Sequence, residues 1–420
     1  MPTLNPHQSV QRTTLDNGVT VIVIENPTAD IIAGRLYLKN AGTRVEPLAK
    51  LGVSHLLSAV IAKGTESLNA GEIAEKIESV GAGLNAETAN DYFLISLKTV
   101  SQDFPEILQL VGEMLRSPSL PETEIELEQA QTLQAILAQK EQPFNVAFNQ
   151  LRSLMYPQHP YGISVLGTEE TVASLTRADL EAYRDRAFRP DQLVVSVAGR
   201  ITLEQAVSEV NKVFGDWKQP TTPQPIPSLP KLFVQPSQKS LAQDTQQTII
   251  MLGYLTASIK EEDYPVLKLI NTYLGNGLSS RLFVELREKQ GLAYDVSAFY
   301  PTRLEPSHFV AYMGTAPDNV EIALEGLQKE LKRLCEVELT SEELQASKNK
   351  LLGQYALAKQ SNGQLAQLYG WYETLGRGVE FDERFQETVA KISSEQMQAV
   401  AQKYLAIAPY LSLVGQESIR

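Results

Sequence analysis

Apolar positions along this chain follow two periods. Phe93, Ile95 and Leu97 recur at every second residue, which predicts a strand with one buried face. Ile73, Ile77 and Val80 recur at helical spacing, and Asn69 with Glu72 three residues later predicts a capping box at the start of that helix. Gly81 and Gly83 end it. Ile107, Leu108, Val111, Met114 and Leu115 predict the next helix, and a long one follows from about 122 to 139. Asn17-Gly18, set between the apolar runs 11–15 and 19–25, predicts a type I′ hairpin. Strands separated by single helices and hairpins imply an α+β fold, with helices packed on one face of a largely antiparallel sheet.

The pattern is written twice. TVASLTRADLEAY begins at Thr171 and TVAKISSEQMQAV at Thr388, an offset of 217 (388 − 171). The apolar runs that follow end at Gly199 and Gly415, and the amphipathic segments opening at Asp103 and Asp318 keep nearly the same offset. A period this long indicates a duplicated domain and not a solenoid. The expected organisation is an N-terminal domain over 1–215, a linker over 216–246 and a C-terminal domain over 247–420. Six prolines between Pro220 and Pro236 fix φ and remove donors, so the linker is expected to be extended.

Composition narrows the function. The net charge of −13 repels phosphate backbones, so nucleic acid is excluded as a partner. No apolar run approaches the length of a membrane span, and 1–16 has no secretory pattern, so no membrane insertion is expected. One cysteine, Cys335, cannot form an internal disulfide and fits a reducing, cytoplasmic location.

Several motifs are weak. Gly81-Ala82-Gly83-Leu84-Asn85-Ala86 imitates a dinucleotide fingerprint, but a helix precedes it and a strand follows, the reverse of what pyrophosphate binding needs. No phosphate-cradling loop or serine elbow is present. Ser54 and Ser58 flank His55 without making a triad. His7 and His308 read as structural or surface residues, and His159 as part of an ordered loop.

Two segments carry more information. The first runs from Gly52 through His55, Ser58 and Ala59 to Lys63-Gly64-Thr65, with a later acidic helix containing Glu128 and Ala135. The second reads Leu278-Ser279-Ser280-Arg281-Leu282-Phe283-Val284-Glu285-Leu286-Arg287-Glu288-Lys289-Gln290-Gly291-Leu292-Ala293-Tyr294. Together they resemble the pitrilysin and mitochondrial processing peptidase family, the inverzincins, across nearly the whole chain. That family binds zinc through H-x-x-E-H on a helix and a glutamate on a later helix. Against its pattern His55 is the only ligand kept: Ser58 stands at the general base, Ala59 at the second histidine and Ala135 at the glutamate, so no metal is expected in this chain.

The second segment matches the family's C-terminal signature. The resemblance implies that Arg287 and Tyr294 bind peptide and stabilise the tetrahedral intermediate in trans. It also implies two homologous halves joined by the linker into a clam shell. The expected function is the non-metal subunit of a heterodimeric zinc peptidase, with zinc in a homologous partner and a peptide as substrate. The alternatives are a non-enzymatic scaffold and a peptide-binding homodimer.

Overall fold

The computed structural model describes residues 10–222 and 228–416. His7 and the linker prolines Pro223, Pro225 and Pro227 lie outside the described residues.

Two mixed sheets organise the chain. In its first half, β1 (Val10–Thr14), β2 (Thr20–Glu25), β3 (Ile31–Lys39), β4 (Gly83–Thr88), β5 (Tyr92–Val100) and β6 (Leu193–Gly199) form a sheet in the order β1-β2-β6-β3-β5-β4. In the second, β7 (Gln238–Ala242), β8 (Thr248–Thr256), β9 (Asp295–Phe299), β10 (Ser307–Thr315) and β11 (Tyr410–Gly415) take the order β7-β11-β8-β10-β9. The second order repeats the first without β1. In each sheet a single parallel pair, β2 with β6 and β7 with β11, stands beside antiparallel neighbours. The starts of β3 and β8 are 217 residues apart (248 − 31), the offset read from the sequence. Strand β7 falls within the stretch read as linker. Residues 228–237, ahead of it, adopt no helix or strand.

The helices of the first half are α1 (Val53–Val60), α2 (Ala70–Ser79), α3 (Phe104–Arg116), α4 (Glu122–Glu141), α5 (Pro143–Met155), α6 (Glu169–Ala173), α7 (Arg177–Ala187) and α8 (Leu203–Phe214). Those of the second are α9 (Tyr264–Gly275), α10 (Val320–Glu336), α11 (Ser341–Leu357), α12 (Asn362–Thr374), α13 (Phe381–Lys391) and α14 (Ser394–Leu405). The Asn69–Glu72 capping box forms as expected. Phe93, Ile95 and Leu97 face a core that also takes in Ile107, Val111, Met114 and Phe214.

Compact units do not follow the linear halves. Among the described residues, one unit falls within 1–136, 164–228 and 356–382, and the other within 137–163, 229–355 and 383–420. Each half therefore lends one helix to the other half's sheet. Helix α12 lies on the face of the first sheet opposite the main core, where Leu365 and Ala366 meet Ile22, Tyr37, Leu94 and Val194. Helix α5 packs likewise on the second sheet, where Ala147, Leu151 and Met155 meet Met251, Val310 and Tyr410.

One local expectation is corrected. The β1–β2 hairpin forms, but its turn is not type I′, which needs positive φ at both central residues. Of Asn17 and Gly18 only Gly18 is left-handed, at φ 93°. The Asn17 amide instead donates to the carbonyls of Phe214, at 2.6 Å, and Trp217, at 3.1 Å, so the end of α8 dictates the loop.

Candidate functional site

Helix α1 begins abruptly because a buried carboxylate takes its free amides. Glu46 accepts from the N–H of Gly52 and of Ser54, both at 2.8 Å, and from the Ser54 hydroxyl at 2.5 Å. Burial pushes this carboxyl up to about 7, against those three hydrogen bonds. Gly52 sits at φ 91°, and a Cβ there would stand 2.5 Å from the Leu166 carbonyl oxygen, so the position requires glycine. The spacing of the H-x-x-E-H pattern did not reveal this cap; the acid six residues ahead of Gly52 was the available signal.

On α1, His55, Ser58 and Ala59 share one face. The His55 imidazole is held below its usual range by burial, opposed by the charge of Glu128. Glu128 itself forms an ion pair with Lys63 at 3.0 Å. Ser58 is buried, and its hydroxyl donates to the carbonyl of His55 at 2.7 Å. Ala135 is exposed on α4, seven residues beyond Glu128. The structure thus places His55 near Glu128 but supplies neither the general base nor the other ligands. Catalytic zinc takes three protein ligands, and one imidazole with two alanines and an inward-turned hydroxyl does not fit it. Among the described residues no group of three or more His, Cys, Asp or Glu could hold a metal ion.

The second segment is built differently. Residues 283–288 wind as a π-helix, with the Lys289 N–H donating to the Val284 carbonyl at 3.1 Å. Wider turns of this kind re-aim side chains at a helix end. Gly291, left-handed at φ 65°, stops the helix, and its N–H donates to the Arg287 carbonyl at 3.1 Å. Arg287 is exposed, with its guanidinium over the Phe283 ring at 4.9 Å. Among the described residues it pairs with no carboxylate. Tyr294 is 60% exposed and immediately precedes β9, its N–H donating to the Gly314 carbonyl at 2.9 Å. Both side chains face outward, neither buried in a core. They can donate to an incoming oxygen, Arg287 through a planar fork and Tyr294 through its phenol.

Each sheet also leaves one edge open near these segments. Strand β4 bonds only to β5, and β9 only to β10. Thr88, the last residue of β4, donates to the Ser54 hydroxyl at 3.0 Å and so ties that edge to α1.

The other described histidines, His159 and His308, are structural. The His159 Nδ1 accepts from the Tyr161 N–H at 3.0 Å, and buried His308 hydrogen-bonds the Tyr156 phenol at 3.1 Å. Cys335 is buried. No helix among the described residues is long and apolar enough to cross a membrane.

Comparison with known proteins gives two matching families: "Insulinase (Peptidase family M16)" over residues 20–169 and "Peptidase M16 inactive domain" over 174–351. A protein of Bacillus subtilis strain 168 named an uncharacterized zinc protease is 29% identical over 373 residues, which cover 87% of this chain and 90% of that one. One of Streptomyces coelicolor, also named an uncharacterized zinc protease, is 28% identical, with 97% of this chain and 90% of that one covered. Among solved structures, a peptidase M16 inactive domain from Pseudomonas fluorescens superposes with a TM-score of 0.91 at 23% identity, covering 98% of this chain and 99% of its own. A protease from Helicobacter pylori gives 0.91 at 22%, covering 97% and 99%.

Proposed function

Because this chain belongs to the peptidase M16 family, we propose that it is the metal-free, substrate-binding subunit of a two-chain zinc peptidase. One asymmetry carries the reading. The zinc positions hold Ser58, Ala59 and Ala135, while Arg287 and Tyr294 are kept and exposed. A homologous partner with an intact H-x-x-E-H helix supplies the zinc, of the kind the B. subtilis relative's name implies.

In this chain's share of the chemistry, an extended peptide adds as a strand to an open sheet edge. Arg287 and Tyr294 donate hydrogen bonds to the scissile carbonyl oxygen. Those bonds strengthen as the oxygen becomes negative in the tetrahedral intermediate, which is where such donors contribute most. The buried single thiol fits a reducing, cytoplasmic-type compartment.

The test combines this chain with a zinc-bearing homologue and follows cleavage of an unstructured peptide. Arg287→Ala and Tyr294→Phe are each expected to lower kcat by about a hundredfold, the scale of losing one oxyanion donor. Unchanged turnover in both variants would refute the reading and leave a scaffold.

A further inference from the structure

A cavity of about 520 Å³ lies on the first sheet, on the face covered by α12. Arg35, Lys98, Asn26, Asn362, Gly363 and Gln364 are among its lining residues. Arg35 projects from β3 on the same face as Tyr37, which α12 covers. Its Nη1 donates to its neighbour Gly34's carbonyl at 2.9 Å, while its Nε is buried without a hydrogen-bond partner. Burial holds the guanidinium below its usual range, and the acid acting on it, exposed Glu87, forms no ion pair with it.

The surroundings of Arg35 repel a cation. Its Nη2 lies 3.1 Å from where a Cβ would stand on Gly363, so it abuts the first turn of α12. A helix N-terminus carries about half a positive charge and favours anions. Here that turn holds no acidic residue. Its capping box joins Ser361 to Gln364 and leaves the N–H groups of Asn362 and Gly363 without a partner among the described residues. Lys98 adds a second cation to the same cavity, and no carboxylate lines it. Two cations and a positive helix end around one cavity repel each other until an anion enters. The Asn26 amide donates to Asn362 Oδ1 at 2.8 Å and the Asn362 amide to the Ile31 carbonyl at 3.0 Å, which fixes both side chains in the cavity wall.

We propose that this cavity is a subsite for a carboxylate of a bound peptide, held between Arg35, Lys98 and the first turn of α12. It extends the peptide-binding reading above and rests on it. The carboxylate can come from the peptide's C-terminus or from an acidic side chain.

The test uses the purified full chain and three fluorescein-labelled decapeptides of glycine, serine and alanine. One is amidated and neutral, one has a free C-terminus, and one is amidated with a single internal glutamate. Anisotropy is expected to give at least about fivefold tighter binding to whichever carboxylate-bearing peptide fits, as a charge-assisted hydrogen bond to Arg provides. Arg35→Gln is expected to bring the affinities within about twofold of each other, and Lys98→Gln, on the exposed strand position, to narrow the gap partway. Equal binding of all three peptides by the unaltered chain overturns the subsite and leaves the peptide-binding reading standing.

Sodium succinate supplies a readout free of peptide. It is expected to raise the melting temperature above that in chloride of equal ionic strength, and to lose this advantage in Arg35→Gln. Succinate protection without any peptide binding keeps the anion site and removes the peptide. Neither effect removes both.

Discussion

The Ser58 hydroxyl points back along its own helix, donating to the His55 carbonyl at 2.7 Å. At the family's general-base position stands a short side chain satisfied by the backbone, not a carboxylate reaching outward. The other missing groups are methyls, which no rearrangement turns into ligands. The dialysed chain is therefore expected to hold no stoichiometric zinc. The triple variant Ser58→Glu, Ala59→His, Ala135→Glu is expected to hold about one equivalent, because His55 and a histidine four residues on reach the same metal from one helix face. Elemental analysis of both proteins decides. Stoichiometric zinc in the unaltered chain contradicts the degenerate-site reading.

Arg287 and Tyr294 offer a clean separation of function from folding. Both are exposed, Arg287 resting on Phe283 and Tyr294 anchored by its backbone alone. Arg287→Ala and Tyr294→Phe are expected to change stability by no more than about 0.5 kcal/mol, the range of surface substitutions outside special contacts. Denaturant unfolding checks this. A loss of several kcal/mol in either variant means that any activity defect reflects folding.

Much of this was legible in local pattern. The duplication, the Asn69 cap and the alternation of Phe93, Ile95 and Leu97 follow from short-range chemistry, and the structure repeats them. The exchange of α5 and α12 was not legible, because an amphipathic helix declares a buried face but not which sheet buries it. The Asn17-Gly18 turn was misread for a similar reason: its geometry is set by Phe214 and Trp217, some two hundred residues away. At the site, the ligand losses could be read directly from Ser58, Ala59 and Ala135. The meeting of Arg35 with Gly363 joins residues more than three hundred positions apart, and no spacing rule reaches that far.

The exchanged helices make unequal contacts that substitution can compare. A Cβ on Gly370 of α12 would stand 2.7 Å from the Tyr37 ring and 2.8 Å from Ser196 Cβ. Tyr37 is fully buried, and its phenol donates to the Gln367 carbonyl at 3.1 Å, so the ring cannot retreat. A Cβ on Gly253 of β8 would meet the Met155 sulfur at 2.7 Å, on a side chain with several rotatable bonds. Gly370→Ala is expected to cost about 2 kcal/mol by overpacking, and Gly253→Ala to cost less than half of that. Equal losses would show that backbone approach, not side-chain stiffness, sets the cost.

Glu46 gives the chain a pH signature at the start of α1. Its carboxyl is pushed up from the ordinary 4.5 to about 7, chiefly by burial, with Arg186 and the three hydrogen bonds opposing. The folded chain therefore holds this proton more tightly than the unfolded one. The resulting stabilisation is fully present below about pH 4.5 and is lost as pH rises toward 7, amounting to about 3 kcal/mol over that window. Glu46→Gln removes the titration while keeping the shape. The stability difference between the unaltered chain and Glu46→Gln, measured by urea unfolding from pH 5 to 8, is expected to shift against the unaltered chain up to about pH 7 and then level off. Parallel curves across that range would mean that Glu46 stays ionised in the folded chain, so that the amides of Gly52 and Ser54 outweigh its burial.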